Sequence, residues 1–155
     1  MSNAFVFDWM ARTRQNMLKY LDRISEEHIE IIPEDFNNNI HWQFGHIVTI
    51  ADNIIYGFAG QTRRLPVEYS TFFAPNTRPS EWHGEPPSWE EVLNVFNSQV
   101  DELRETFGSK LDEPVAVQDN FAGAKIVHDL LEMNIAHEAA HSGMINAMTR
   151  LLRKA

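Results

Sequence analysis

Four stretches of this chain repeat their apolar residues at every third or fourth position, and no stretch alternates them convincingly in twos. That period puts one side of a helix into a core, so helices rather than a sheet must build the framework. The first stretch, about residues 3–25, carries Phe7, Met10, Met17, Leu21 and Ile24, with Ser2 or Asn3 as its cap. A connector follows, marked by Pro33, by the run Asn37-Asn38-Asn39, and by acidic side chains without a Lys or Arg among them. A second helix is expected from about Asn39 to Phe58, ending near Gly60, with Ile40, Phe44, Ile47, Ile50, Ile54 and Phe58 as its apolar set.

Residues 60–87 hold five of the seven prolines and keep no period, apart from one short helical turn at residues 69–73. A connection of that length serves either as a crossover between distant bundle corners or as a lid. Phe72, Phe73, Trp82 and Trp89 would then cover the site or simply pack on the bundle. The third long helix opens on a capping box, Ser88-Trp89-Glu90-Glu91, and ends at Gly108. The fourth is expected from about Gly123 to Arg153, with Arg150, Arg153 and Lys154 complementing its C-terminal dipole. The expected fold is all-α, a four-helix bundle with a long crossover connection between the second and third long helices. All 155 residues suit one domain with one substantial core.

Charge and composition narrow the function. A net charge of −9 offers no field for a phosphate backbone, so nucleic acid is not an expected partner. No run approaches the ~20 apolar residues that cross a bilayer. The start of the chain has Asp8 inside its apolar stretch and no basic segment before it, unlike a signal peptide. A soluble, cytoplasmic protein without membrane contact is expected. With no cysteine, the chain has no disulfide, no thiolate ligand and no sulfur nucleophile of its own.

Seven histidines remain to be explained. His137 and His141 stand four apart on one helix face, the spacing that lets two imidazoles converge on one ion. Leu130, Asn134, Met144 and Met148 share their sector, which faces the core. The competing reading is a pair of buried histidines that satisfy each other; burying polar groups without partners costs ~1–3 kcal/mol each. His137-Glu138-Ala139-Ala140-His141 also matches the H-E-x-x-H string of zinc proteases. That reading fails, because residues 142–155 hold no His, Asp or Glu to complete the site and no strand is available to present a peptide.

A third ligand must therefore lie upstream. His46 is the best placed, in the sector of Trp42, Ile50, Asn53 and Gly57 on the second helix. His41 lies about 140° away and is expected to be exposed, His128 to face solvent or a neighbouring helix. His28 and His83 fall in connectors. Three neutral imidazoles suit zinc, with nickel or another first-row ion as the alternative, and they leave a coordination position open as catalytic sites do. Glu138, about 100° around from His137, reads as a supporting or boundary carboxylate and is the one candidate acid or base. Asn53 and Asn134 are candidate partners for imidazole N–H groups or for substrate, with ordinary bundle hydrogen bonding as the alternative.

Two motifs carry a resemblance. Asn39-Ile40-His41-Trp42-Gln43-Phe44-Gly45-His46-Ile47 and Asn134-Ile135-Ala136-His137-Glu138-Ala139-Ala140-His141-Ser142-Gly143-Met144-Ile145 resemble the second and terminal helices of the DinB-like (YfiT-like) family of four-helix metalloproteins. The family usually carries Gln where Met144 stands. The resemblance implies a left-open metal site of His46, His137 and His141, often in a homodimer. It also implies an activity, since characterised relatives are transferases and isomerases using low-molecular-weight thiols. Two classes of function follow: a metal-dependent enzyme that moves a thiol onto a small electrophile, or hydrolyses with water, and a non-catalytic metal- or ligand-binding dimer.

Overall fold

The computed structural model describes residues 5–153, so the expected cap at Ser2 or Asn3 and the basic Lys154 lie outside the described residues. Those residues form helices and no strand: α1 (Phe5–Leu21), α2 (Ile40–Ala51), α3 (Val67–Phe73), α4 (Trp89–Phe107) and α5 (Val127–Leu152). A π turn over Asp52–Tyr56 prolongs α2. None of the described helices is long and apolar enough to cross a membrane.

The helix ends follow local chemistry. The Ser88 hydroxyl accepts from the Glu91 amide at 3.2 Å, and Glu91 accepts the Ser88 amide at 2.7 Å, closing the expected capping box on α4. Asn39 caps α2 by accepting from the Trp42 amide at 2.8 Å. α1 stops at Leu21 rather than near Ser25, because the next amides tighten onto carbonyls three residues back. α5 starts at Val127, later than Gly123. The amides of Lys125 and Ile126 are taken by the Asp129 carboxylate, and Val127 donates to the carbonyl of Glu113 instead of entering the helix earlier.

α1 packs on α5 and α4, and α2 packs on α3, α4 and α5. α2 and α4 run in the same direction: Phe44 meets Phe96, the Gln99 amide reaches the Val48 carbonyl, and Tyr56 meets Phe107. Residues 59–88 therefore carry the chain back along the bundle, and on the way α3 lies against α2. Enclosed on three sides, every residue of α2 is buried.

The core is in two parts. One surrounds Phe7, Met10, Tyr56, Leu103 and Phe107; the other surrounds Met17, Phe44, Phe73, Phe96 and Ile145. A buried polar group joins the helices at Arg14. Its guanidinium donates to Glu138 on α5 at 2.6 Å and to the Phe96 carbonyl and Gln99 on α4. Asn134 donates to the same carboxylate at 2.9 Å. Burying two charges this fully is tolerable because each is paired and hydrogen-bonded.

Candidate metal centre

α2 and α5 run antiparallel and bring His46, His137 and His141 together, with one nitrogen from each within 4.8 Å of the others. The Nε2 atoms of His46 and His137 are 3.2 Å apart. Two nitrogens bound tetrahedrally to one zinc at about 2.0–2.1 Å stand about 3.3 Å from each other. The His46–His137 spacing fits a shared ion, and the His141 nitrogen lies within 4.8 Å of both.

Two rings are held from behind. His46 Nδ1–H donates to the Phe73 carbonyl at 2.6 Å, and His141 Nδ1–H to Gln43 Oε1 at 2.6 Å. Gln43 is itself fixed, its amide nitrogen donating to Asn38 at 2.8 Å. With Nδ1 protonated, each neutral ring presents its Nε2 lone pair to the cluster, the tautomer a metal needs. Trp42 lies on His46 with ring centres 4.5 Å apart and 12° between planes. His137 Nδ1 is buried without a partner. If His137 Nε2–H donated to His46, that Nδ1 would be a buried acceptor with no donor; with the proton on Nδ1, two lone pairs would face each other. A cation would relieve the facing lone pairs of the second arrangement, in which the Nδ1–H still lacks an acceptor.

Burial also keeps these rings neutral. It pushes His46 down to about 4 against the opposing pull of the Phe73 carbonyl, with nearby His137 lowering it further. Burial, then the neighbouring His137 and His46, push His141 down to about 3. Burial lowers His137 as well, partly offset by Glu138. At neutral pH the protons that compete with a metal are absent.

The sign of the pH effect on stability follows. An unfolded histidine takes up its proton near 6.5, while folded His46 and His141 resist it to about 4 and 3. As pH falls below about 6.5 the unfolded chain binds more protons and the fold loses stability. Each unit of difference is worth about 1.4 kcal/mol. Metal-free protein should lose roughly 5 kcal/mol between pH 7 and 4.5 from these two rings, about half from each, and His141→Gln should lose correspondingly less. Urea midpoints across that range provide the check; equal slopes for both proteins would refute it.

The Gly-His step has a packing reason. A Cβ on Gly45 would stand 2.4 Å from the Phe73 ring, so only glycine lets α3 lie close enough for Phe73 to support His46. Gly45→Ala should displace Phe73 and cost about 10–100-fold in metal affinity, as loss of a ligand's support does. Competition against a chromogenic chelator would measure it.

The other expected residues lie elsewhere. Glu138 is fully buried, and both its oxygens accept from Arg14 rather than meeting an imidazole. Asn134 donates its amide to Glu138, while its buried Oδ1 has no partner. Asn53 bonds Ser70 and Arg63. It sits within the π turn, which adds a residue to the turn and so breaks the 100° phase counted from His46. His41 corrects the expectation of exposure: it is 3% exposed, with Nε2 donating to the Pro87 carbonyl at 2.8 Å and Nδ1 2.7 Å from Glu30. Phe73, Trp82 and Trp89 ring it, because the returning segment folds over the start of α2, which helical phase does not register. Phe72 and Phe73 are buried against the bundle. His128 is half-exposed beside Glu132. Gln43 was missed, although it lies only about 60° around α2 from His46 and is the support that sequence assigned to the asparagines.

A crystal structure of a conserved protein of Enterococcus faecalis shares the fold, with a TM-score of 0.65 at 14% identity, over 100% of this chain and 99% of that one. No curated protein matches the chain. The family model described as the DinB superfamily matches residues 10–145. With that match spanning both histidine helices, the chain belongs to the DinB superfamily.

Proposed function

We propose that this chain holds a divalent first-row metal, zinc in preference to nickel, on His46, His137 and His141. On this reading it is an enzyme that moves a low-molecular-weight thiol onto a small electrophile. The observation that carries the reading is the convergence of three imidazoles, two with their outer nitrogens pinned. Three protein ligands leave room for an exogenous group. When bound there, the ion would acidify a thiol or a water beside it and orient it for attack.

The chain's own part is preorganisation. The Phe73 carbonyl and Gln43 fix two rings, Trp42 backs His46, and burial excludes competing protons. The sulfur must arrive with a cosubstrate, since the protein has none to offer as a thiol. That fits a reducing cytoplasm, which is where we place it. The homodimer implied by the resemblance belongs to the same reading. Sedimentation equilibrium should return twice the 17.9 kDa chain mass.

The test is elemental analysis of protein purified without an affinity metal, followed by anaerobic titration of the cobalt-substituted protein with a panel of thiols. A thiol-dependent change in the cobalt spectrum and a conjugate formed with an electrophile are the expected results. Stoichiometric metal without either result would favour the second reading, a non-catalytic binding protein. One observation supports that alternative: Glu138, the nearest acid to the histidines in sequence, is locked onto Arg14.

A further inference from the structure

A separate polar cavity of about 250 Å³ opens between the end of α2, the 62–67 segment and α3. Thr49, Asn53, Thr62, Arg63 and Ser70 line it, together with the buried Asp52. Asp52 shapes it: its two oxygens accept the Arg64 amide at 2.7 Å and the Leu65 amide at 3.3 Å, pinning the segment that carries Arg63. That carboxylate is committed to backbone, and Arg63 makes no ion pair with any described residue. Its one hydrogen bond runs from Nη1 to Asn53 Oδ1 at 2.9 Å, while Asn53 Nδ2 donates to the Ser70 hydroxyl at 3.2 Å and that hydroxyl donates back to Asn53 Oδ1 only at 3.4 Å, a long bond a better acceptor would displace. The neighbouring Arg64 is turned away, over the Tyr56 ring. Arg63 is exposed to solvent where it lines the cavity, so its donors beyond the Asn53 bond are open to an entering anion.

We infer that this cavity is a subsite for the carboxylate end of a small molecule, held by Arg63 with help from Ser70 and Thr62. A carboxylate fits better than a phosphate. One planar guanidinium matches one carboxylate in geometry, and a monoanion adds less negative charge beside Asp52, whose field Arg63 and Arg64 already offset, than a dianion would. The cavity shares a seam with the histidines: α3 offers its Phe73 carbonyl to His46 and, one turn earlier, its Ser70 hydroxyl to Asn53. Asn53 lies seven positions after His46, roughly 10 Å along α2 and the π turn that prolongs it. An axial offset of that size makes the subsite a candidate holder for the far end of a substrate or cosubstrate whose reacting group lies at the histidines. This pairing of the two sites rests on the enzymatic reading above; the carboxylate subsite does not.

The subsite is tested by following backbone amide shifts of the purified protein at low ionic strength, with propionate and with propionamide as probes. Propionate should shift amides of residues 62–70 saturably, propionamide should not, and Arg63→Gln, an exposed change, should weaken propionate roughly tenfold. Equal response to both probes, full retention in Arg63→Gln, or tighter binding of inorganic phosphate would overturn it. His137→Ala that keeps the propionate response leaves the subsite standing even where the metal reading fails. The pairing has its own test in zinc-loaded protein. A thiol bearing a carboxylate about 10 Å from its sulfur should bind roughly tenfold tighter than its amide, an advantage erased by Arg63→Gln. Equal affinity for acid and amide would separate the two sites.

Discussion

Glu138→Ala should destabilise the fold by about 3–5 kcal/mol, more than removal of any exposed charge. The mutation leaves the Arg14 guanidinium 3% exposed with its principal counter-charge gone and Asn134 without its acceptor. Neither group can turn to water, since both core clusters close around them. Replacing the pair together, Arg14→Met with Glu138→Leu, removes both buried charges and should recover most of the loss. Chemical denaturation of the three proteins measures the effect. Single and double variants of equal stability would show that the pair has no special energetic role. A separate consequence concerns the candidate site: Glu138 follows His137 directly, so loosening it should also disturb the histidine cluster.

The second large effect is loss of a ligand. His141→Ala or His137→Ala should weaken zinc by roughly a hundred- to a thousandfold. Apparent binding energies of about 10–16 kcal/mol for four-ligand structural sites amount to about 2.5–4 kcal/mol per ligand. Stability should follow. With free zinc at a thousand times its Kd, the wild type gains about 4 kcal/mol, which for a chain of this size raises Tm by roughly 8–16 °C. The variants should show little of that gain at the same zinc concentration, and the metal-free Tm of His141→Ala should itself fall, because Gln43 Oε1 loses its donor. Calorimetry with and without zinc separates the two. An unchanged zinc-dependent Tm shift in both variants would remove them from the ligand set.

Much of this site could be read in advance because helical phase is a local property. The spacing of His137 and His141 puts two rings on one face whatever the rest of the chain does, and the capping box at Ser88 closes within four residues. His46 could be selected for the same reason, since it precedes the π turn and its phase is regular. Asn53 lies within that turn, where counting at 100° per residue ceases to hold, and it turns to Ser70 and Arg63 instead.

The long helices, the core-facing stripes of those other than α2, and the convergence of three imidazoles were legible in the sequence. The tertiary structure alone decided that Arg14 would neutralise Glu138 from 124 residues away. It also decided that the return from α2 to α4 would bury His41, and that Gly45 would let Phe73 reach His46. The physical reason is range. Period, caps and spacing act within a few turns of one helix, whereas ion pairing and the covering of a helix depend on which distant surfaces the fold presses together.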